Sequence, residues 1–322
     1  MSKRQTETHL GMFASDASVN VGSQRGPGFS YALLITHYSL LFLVLCLAVI
    51  GSVLIVARTD VAGGDVVFIS NRDGNEEVYT LDVDLGLARN LTRNTAWDGT
   101  PARSPDHEWI AFSSRRDGTL DLYLMNARGG GLRRLTADPA REVEPAWSPD
   151  GTQIAFSSDR DGNWDIYVMN ADGSDLQRVT DHPADDKTPM WSPDGTQITF
   201  VSWRFRNSAI YVMDVAGGDA RLLTDTRVRH VEPAWSPDGA HILLSSDRWN
   251  RNFEIFIMDT DGDNLRRLTN HESWDSNPAW LRDGRIVFES RRDGNKELYL
   301  MDAQGGNLHR LTYSQALDGD PS

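Results

Sequence analysis

The chain has 322 residues, 24% of them charged and 39% hydrophobic, and a net charge of −14. Those proportions suit a folded globular protein, and the acidic excess repels phosphate backbones, which excludes nucleic acid as a partner and favours cations or basic peptides. Cys46 is the lone cysteine, so no internal disulfide can form.

Residues 1–30 are rich in Ser, Gly and Thr and read as a disordered tail. From Tyr38 to Ala57 the chain carries no charge over twenty residues, which as an α-helix would span roughly 30 Å, the thickness of a bilayer core. A transmembrane anchor is therefore expected over 31–58, with a linker at 59–65. Cleavage is not expected, because no small-x-small site follows the run. Lys3, Arg4 and Arg25 precede the span, whereas Arg58 follows it beside Asp60 and Asp65. That bias predicts a single-pass protein with its N-terminus in the cytoplasm and its body outside, in the periplasm or at the cell exterior.

Beyond the linker one unit repeats. Threonines recur at 92, 136, 180, 224, 269 and 312, in step with Tyr79, Tyr123, Tyr167, Tyr211, Phe256 and Tyr299. Prolines at 101, 145, 189, 233, 278 and 321 keep the same spacing. In the third copy four short strands are expected: a (145–148), b (153–158), c (165–170) and d (176–180). Pro-Asp-Gly at 149–151 and Asp-Gly at 161–162 and 172–173 separate them, dipeptides that supply the positive φ tight hairpins need. Alternation such as Ile154, Phe156 and Ile166, Val168 buries one face of each strand. A four-stranded repeat of this length is a propeller blade. The fold class expected is all-β, a six-bladed β-propeller of four-stranded antiparallel blades over 66–322, preceded by one transmembrane α-helix. The first copy lacks strand a, and Leu317–Ser322 matches 97–102, so residues 317–322 are expected to close the first blade.

The run PAWSPDGTQIAFSSDRDGNWDIYVMNADGSDLQRVT at 145–180 resembles the repeats of TolB-type propellers, related in pattern to WD-type blades. The resemblance extends over all six copies. It implies an extracytoplasmic propeller that binds other proteins, often through an extended segment at the mouth of the central channel.

Alternating strands put the b–c and d–a loops on one face and the a–b and c–d loops on the other. Three positions before each proline lie Asp98, Glu142, Asp186, His230, Asp275 and Asp318, and immediately before it come Thr100, Glu144, Thr188, Glu232, Asn277 and Asp320. They are expected to ring the channel mouth, where an acidic funnel formed by the first set with Glu144 and Glu232 would take a cation or basic peptide; equally, a repeated aspartate can bond its own loop. Four b–c hairpins carry Arg-Asp-Gly, but the fourth and fifth copies substitute Trp203, Phe205, Arg206 and Trp249, Arg251, Phe253. Exposed Trp, Phe and Arg are residue types of interface hot spots, so a partner-binding patch competes here with local hairpin packing. Arg72, Arg116, Arg160, Arg204, Arg248 and Arg292 recur in every copy and suggest inter-blade ion pairs with Asp150 or Asp194.

His182, His230 and His271 are weak metal candidates. No catalytic residues and no cofactor are expected. The function that follows is a membrane-anchored scaffold capturing a protein or peptide partner at the channel mouth. The alternative is a metal-assisted hydrolase or lyase at the same place.

Overall fold

The computed structural model describes residues 65–322, Asn250 excepted. They form six antiparallel four-stranded sheets. In blade 3, strand a is Glu142–Trp147, b Gln153–Ser158, c Asp165–Asn170 and d Gln177–Arg178. Strand a starts three residues earlier than the alternation suggests, and strand d is only two residues long.

Side-chain alternation produces the core. Phe156 and Tyr167 lie opposite each other on strands b and c, their ring centroids 5.9 Å apart, and the Phe–Tyr pair recurs at 5.6–5.9 Å in blades 1, 2, 4 and 6. Aromatic pairs of this kind add about 0.5–1.5 kcal/mol beyond the area they bury. At the c–d turns of blades 2, 3, 5 and 6 a glycine serves blade packing: a Cβ on Gly173 would sit 2.9 Å from the Leu135 carbonyl oxygen of the preceding blade. The blades thus approach too closely there for any other residue.

The ring closes through the tail. Asp318–Gly319 pairs with strand b of blade 1, and Val67 and Ser322 exchange two backbone hydrogen bonds of 2.9 and 2.8 Å. Leu281, Val287, Leu298 and Leu300 of blade 6 share one core cluster with Val66, Phe68, Tyr79 and Leu81 of blade 1.

One expectation is corrected. Among the described residues no helix is long and apolar enough to cross a membrane, and every regular element is a strand. The expected helix at 31–58, the tail at 1–30 and linker residues 59–64 lie outside the described residues. Among the described residues the fold is all-β, with no helix. The single-pass topology, the membrane as a partner and the extracytoplasmic placement all rest on the expected helix, find no support among the described residues and are carried no further.

Removing residues 317–322 deletes the inner strand of blade 1 and leaves Arg72 without Asp318, its partner at 2.7 Å. Thermal unfolding of the shortened chain should fall by about 10 °C or more, since strand b of blade 1 becomes an open edge and the ring loses its closing pair. A midpoint within about 2 °C of the parent would show that the tail does not hold the ring shut.

Candidate functional site

The six residues three places before the prolines do not face the channel. Asp98, Glu142, Asp186, His230, Asp275 and Asp318 each begin a strand a and are fully buried. In five blades the carboxylate accepts from the b–c hairpin arginine of its own blade: Arg116 to Asp98 at 2.9 Å, Arg160 to Glu142 at 3.0 Å, Arg204 to Asp186 at 2.9 Å, Arg292 to Asp275 and Arg72 to Asp318 at 2.7 Å. These recurring arginines therefore bind within a blade, not across to Asp150 or Asp194, whose carboxylates instead accept from Ser148 and Ser192 of their own turns. Each guanidinium also lies over the strand c tyrosine, at 4.7–5.0 Å from the ring centroid. In blades 1, 2, 3 and 6 that tyrosine donates to the aspartate of the Arg-Asp-Gly turn.

Blade 5 replaces the whole clasp. His230 takes the carboxylate's place, Phe256 the tyrosine's, and Trp249 stacks on Phe256 at 5.0 Å where the guanidinium would lie. Arg248 turns away to Asp225. Both ring nitrogens of His230 are buried without a hydrogen-bond partner among the described residues, and burial pulls its pKa down to about 4.

The channel is lined by the residues immediately before the prolines. Thr100, Glu144, Thr188, Glu232, Asn277 and Asp320 all have positive φ, from 44 to 58°, and border a cavity of about 590 Å³ together with the prolines and Trp203. Left-handed backbone costs a non-glycine residue of order 1–3 kcal/mol and persists only where surrounding contacts enforce it. Here it turns the residue's N–H toward its neighbours around the channel, and side chains meet it: the Thr188 N–H donates to Glu144 Oε2 at 2.9 Å, Asn277 to Glu232 Oε2 at 2.7 Å and Asp320 to Glu289 Oε2 at 3.1 Å. Ser157 and Ser245 hydroxyls donate to the same Glu144 and Glu232 oxygens at 2.7 and 2.6 Å. Lys187 approaches Glu144 at 3.6 Å and Lys296 pairs with Glu289 at 2.9 Å. Burial, with the Glu289 carboxylate second, pushes both Glu232 and Asp320 up to about 7.

Glu144 and Glu232 thus reach the channel as the spacing suggests, and Asp320 joins them. Glu289 and Lys296 escaped notice, although copy six reads Val-Phe-Glu-Ser at 287–290 where copies two and three read Ala-Phe-Ser-Ser. Of the second patch, Trp203, Phe205 and Arg206 are exposed, as are Trp249 and Arg251. Phe253 is half-buried, edge-on to Trp274 at 5.9 Å. Phe253 and Trp274 line a second cavity that shares Glu232 and Asn277 with the channel.

The metal alternative is corrected. His182 and His271 each accept through Nδ1 from a backbone N–H two residues on, at 3.0 Å, and His230 is sealed inside a blade. Among the described residues no three His, Cys, Asp or Glu side chains are grouped to hold a metal ion.

The model of the TolB beta propeller domain matches residues 99–187 and 186–322. The chain belongs to that family. A TolB homolog of Chlorobium luteolum is 42% identical over 59 residues, 18% of this chain and 14% of that protein. The crystal structure of TolB from Acinetobacter baumannii superposes with a TM-score of 0.71 at 22% identity, covering 80% of this chain and 66% of that one. A putative TolB from Agrobacterium tumefaciens gives 0.67 at 25% identity, covering 80% and 91%. The aligned stretch is thus a small part of the curated relative, and the family membership concerns the propeller.

Two outcomes test the clasp. Asp98→Asn leaves the Arg116 guanidinium without its buried counter-charge and should cost about 3–5 kcal/mol in urea unfolding; a loss under about 1 kcal/mol would reject it. His230 has a folded pKa near 4 against an ordinary value of 6.5, so the folded state binds fewer protons between those limits and stability is lost as pH falls through them. Relative to His230→Asn, the parent should lose up to about 3 kcal/mol between pH 7 and 4. Parallel pH profiles for parent and variant would show that His230 is not held neutral.

Proposed function

We propose that this propeller is a binding module, not an enzyme, and that it captures a protein or peptide segment at the channel mouth on the face built from the b–c and d–a loops. The observation that carries the reading is the placement of Glu144, Glu232 and Asp320 on strained backbone around an open cavity. Backbone held in sparsely populated regions clusters where a protein binds or reacts. Carboxylates in that position, two of them with raised pKa, suit a basic side chain entering from the face. Outside residues 1–60 the sequence holds 43 acidic against 28 basic side chains, a charge that draws cationic segments toward the body.

Proton linkage gives the reading a signature. Glu232 and Asp320 titrate near 7 in the free protein, and a cation beside them favours their ionised forms, so binding releases protons and strengthens as pH rises. Calorimetry with a lysine- and arginine-containing peptide should show affinity increasing between pH 6 and 8. Glu232→Gln, which keeps the acceptor for the Asn277 N–H, should weaken binding about tenfold or more. A flat pH profile together with unchanged affinity in Glu232→Gln would reject the channel mouth as the site.

A further inference from the structure

The arc of the same face formed by blades 4 to 6 differs in chemistry from the channel. Trp203 is 40% exposed, Phe205 52% and Trp274 50%, and neither indole N–H donates to a partner among the described residues. Exposed large apolar side chains gathered on one region mark interaction sites. Interleaved with them, Arg206, Arg251 and Arg291 are exposed and lie within ion-pair distance of no carboxylate among the described residues. The neighbouring arginines are engaged: Arg229 holds Asp247 at 2.8 Å and Arg248 holds Asp225. In a chain of net charge −14, three arginines without an ion-pair partner among the described residues stand beside these aromatics, with Asp185 and Glu272 as exposed carboxylates of the same loops.

The local sequence shows that this surface is not a by-product of turn geometry. Four b–c hairpins keep the Arg-Asp-Gly turn, whose glycines at φ 104–110° no other residue matches easily. Blades 4 and 5 give that turn up, and Arg251 in its place sits at φ 55°. Surrendering a favourable turn for exposed aromatic and cationic side chains is a local violation of the kind found at functional sites.

We infer that the arc docks a short acidic segment bearing aromatic or aliphatic side chains, an inference that rests on the channel-mouth reading and supplies the second half of its partner. Carboxylates of the segment meet the free guanidiniums, and its apolar side chains pack on the indoles, whose N–H groups remain available to donate. A long uniform polyanion is disfavoured, because the acidic body outside the arc repels it. Trp203 borders the channel cavity and Trp274 the adjoining one, so the two surfaces are continuous. The partner segment is therefore bipolar: basic where it enters the channel, acidic and apolar where it crosses blades 4 to 6.

The test uses the full chain and two fluorescent peptides, one alternating Asp/Glu with Phe/Leu, the other alternating Lys/Arg with Ser. The acidic peptide should bind with an affinity that falls with added salt and drops about tenfold or more in Arg206→Glu/Arg251→Glu, both exposed positions that leave folding intact by circular dichroism. Arg115→Glu, an exposed arginine of blade 2, should leave its affinity unchanged. Acidic-peptide binding that is absent, or unmoved by the double substitution, overturns the inference, as does tighter binding of a polyanionic DNA strand than of the peptide. If the basic peptide still depends on Glu232 in that case, the channel-mouth reading stands alone; if the basic peptide fails while the acidic one binds as described, the arc stands and the channel reading fails.

Discussion

In five of six blades a guanidinium lies over a buried tyrosine and donates to a carboxylate that no solvent reaches. The carboxylate begins strand a, the arginine belongs to the b–c hairpin, and the tyrosine sits on strand c. One interaction therefore fixes the inner strand to both of its outer neighbours at the end of the blade that carries the b–c and d–a loops. Desolvating the charges is costly, and stacking plus charge-assisted hydrogen bonds offset it only when the geometry is complete. In blade 1 the carboxylate is Asp318 and the arginine Arg72, so there the same clasp also fastens the last strand to the first blade.

Blade 5 shows what the clasp is by replacing it. Histidine, phenylalanine and tryptophan stand where carboxylate, tyrosine and guanidinium stand elsewhere, and an aromatic stack takes over from the ionic one. Substitution of a buried ionic set by well-packed apolar groups is often neutral in stability, so the blade survives while its arginine is released to Asp225. Blade 4 is half-way: Arg204 keeps Asp186, but the turn has no aspartate for Tyr211, and Arg204 Nε and Ser202 Oγ are unpartnered among the described residues. The aromatic–arginine arc spans the two blades in which the repeat is loosest and continues onto the loops of blade 6.

Most of the architecture was legible because the repeat announces it. A period-two alternation between turns rich in Asp and Gly, in six copies, leaves little freedom in strand number or order, and the match of Leu317–Ser322 to 97–102 marks the closing strand. The site was less legible. Glu142 and Glu144 look equivalent in a linear reading, yet the bulge between Val143 and Ala146 sends one side chain into the blade and the other into the channel, and the positive φ that does so has no glycine to signal it. Glu289 and Lys296 reach the cavity adjoining the channel from strand b and from the loop following it, which only the packed ring brings beside Glu232. Trp249 reads as a free hot spot until its stacking on Phe256 is seen, because the loss of tyrosine at 256 and of the carboxylate at 230 are distant in sequence and adjacent in space.

Opposite signs on one face impose an order on recognition. The field of a body with net charge near −15 extends over about a Debye length, roughly 8 Å at physiological salt, and draws the basic part of a segment first. The three free arginines are too few to be felt through that field at a distance and act only on contact. An acidic flank is repelled until the basic part is seated and then held by guanidiniums and indoles that lie beside the channel. A segment running the wrong way would set its carboxylates against Glu144, Glu232 and Asp320, so direction as well as composition is selected, with like-charge apposition supplying the penalty against the reverse mode.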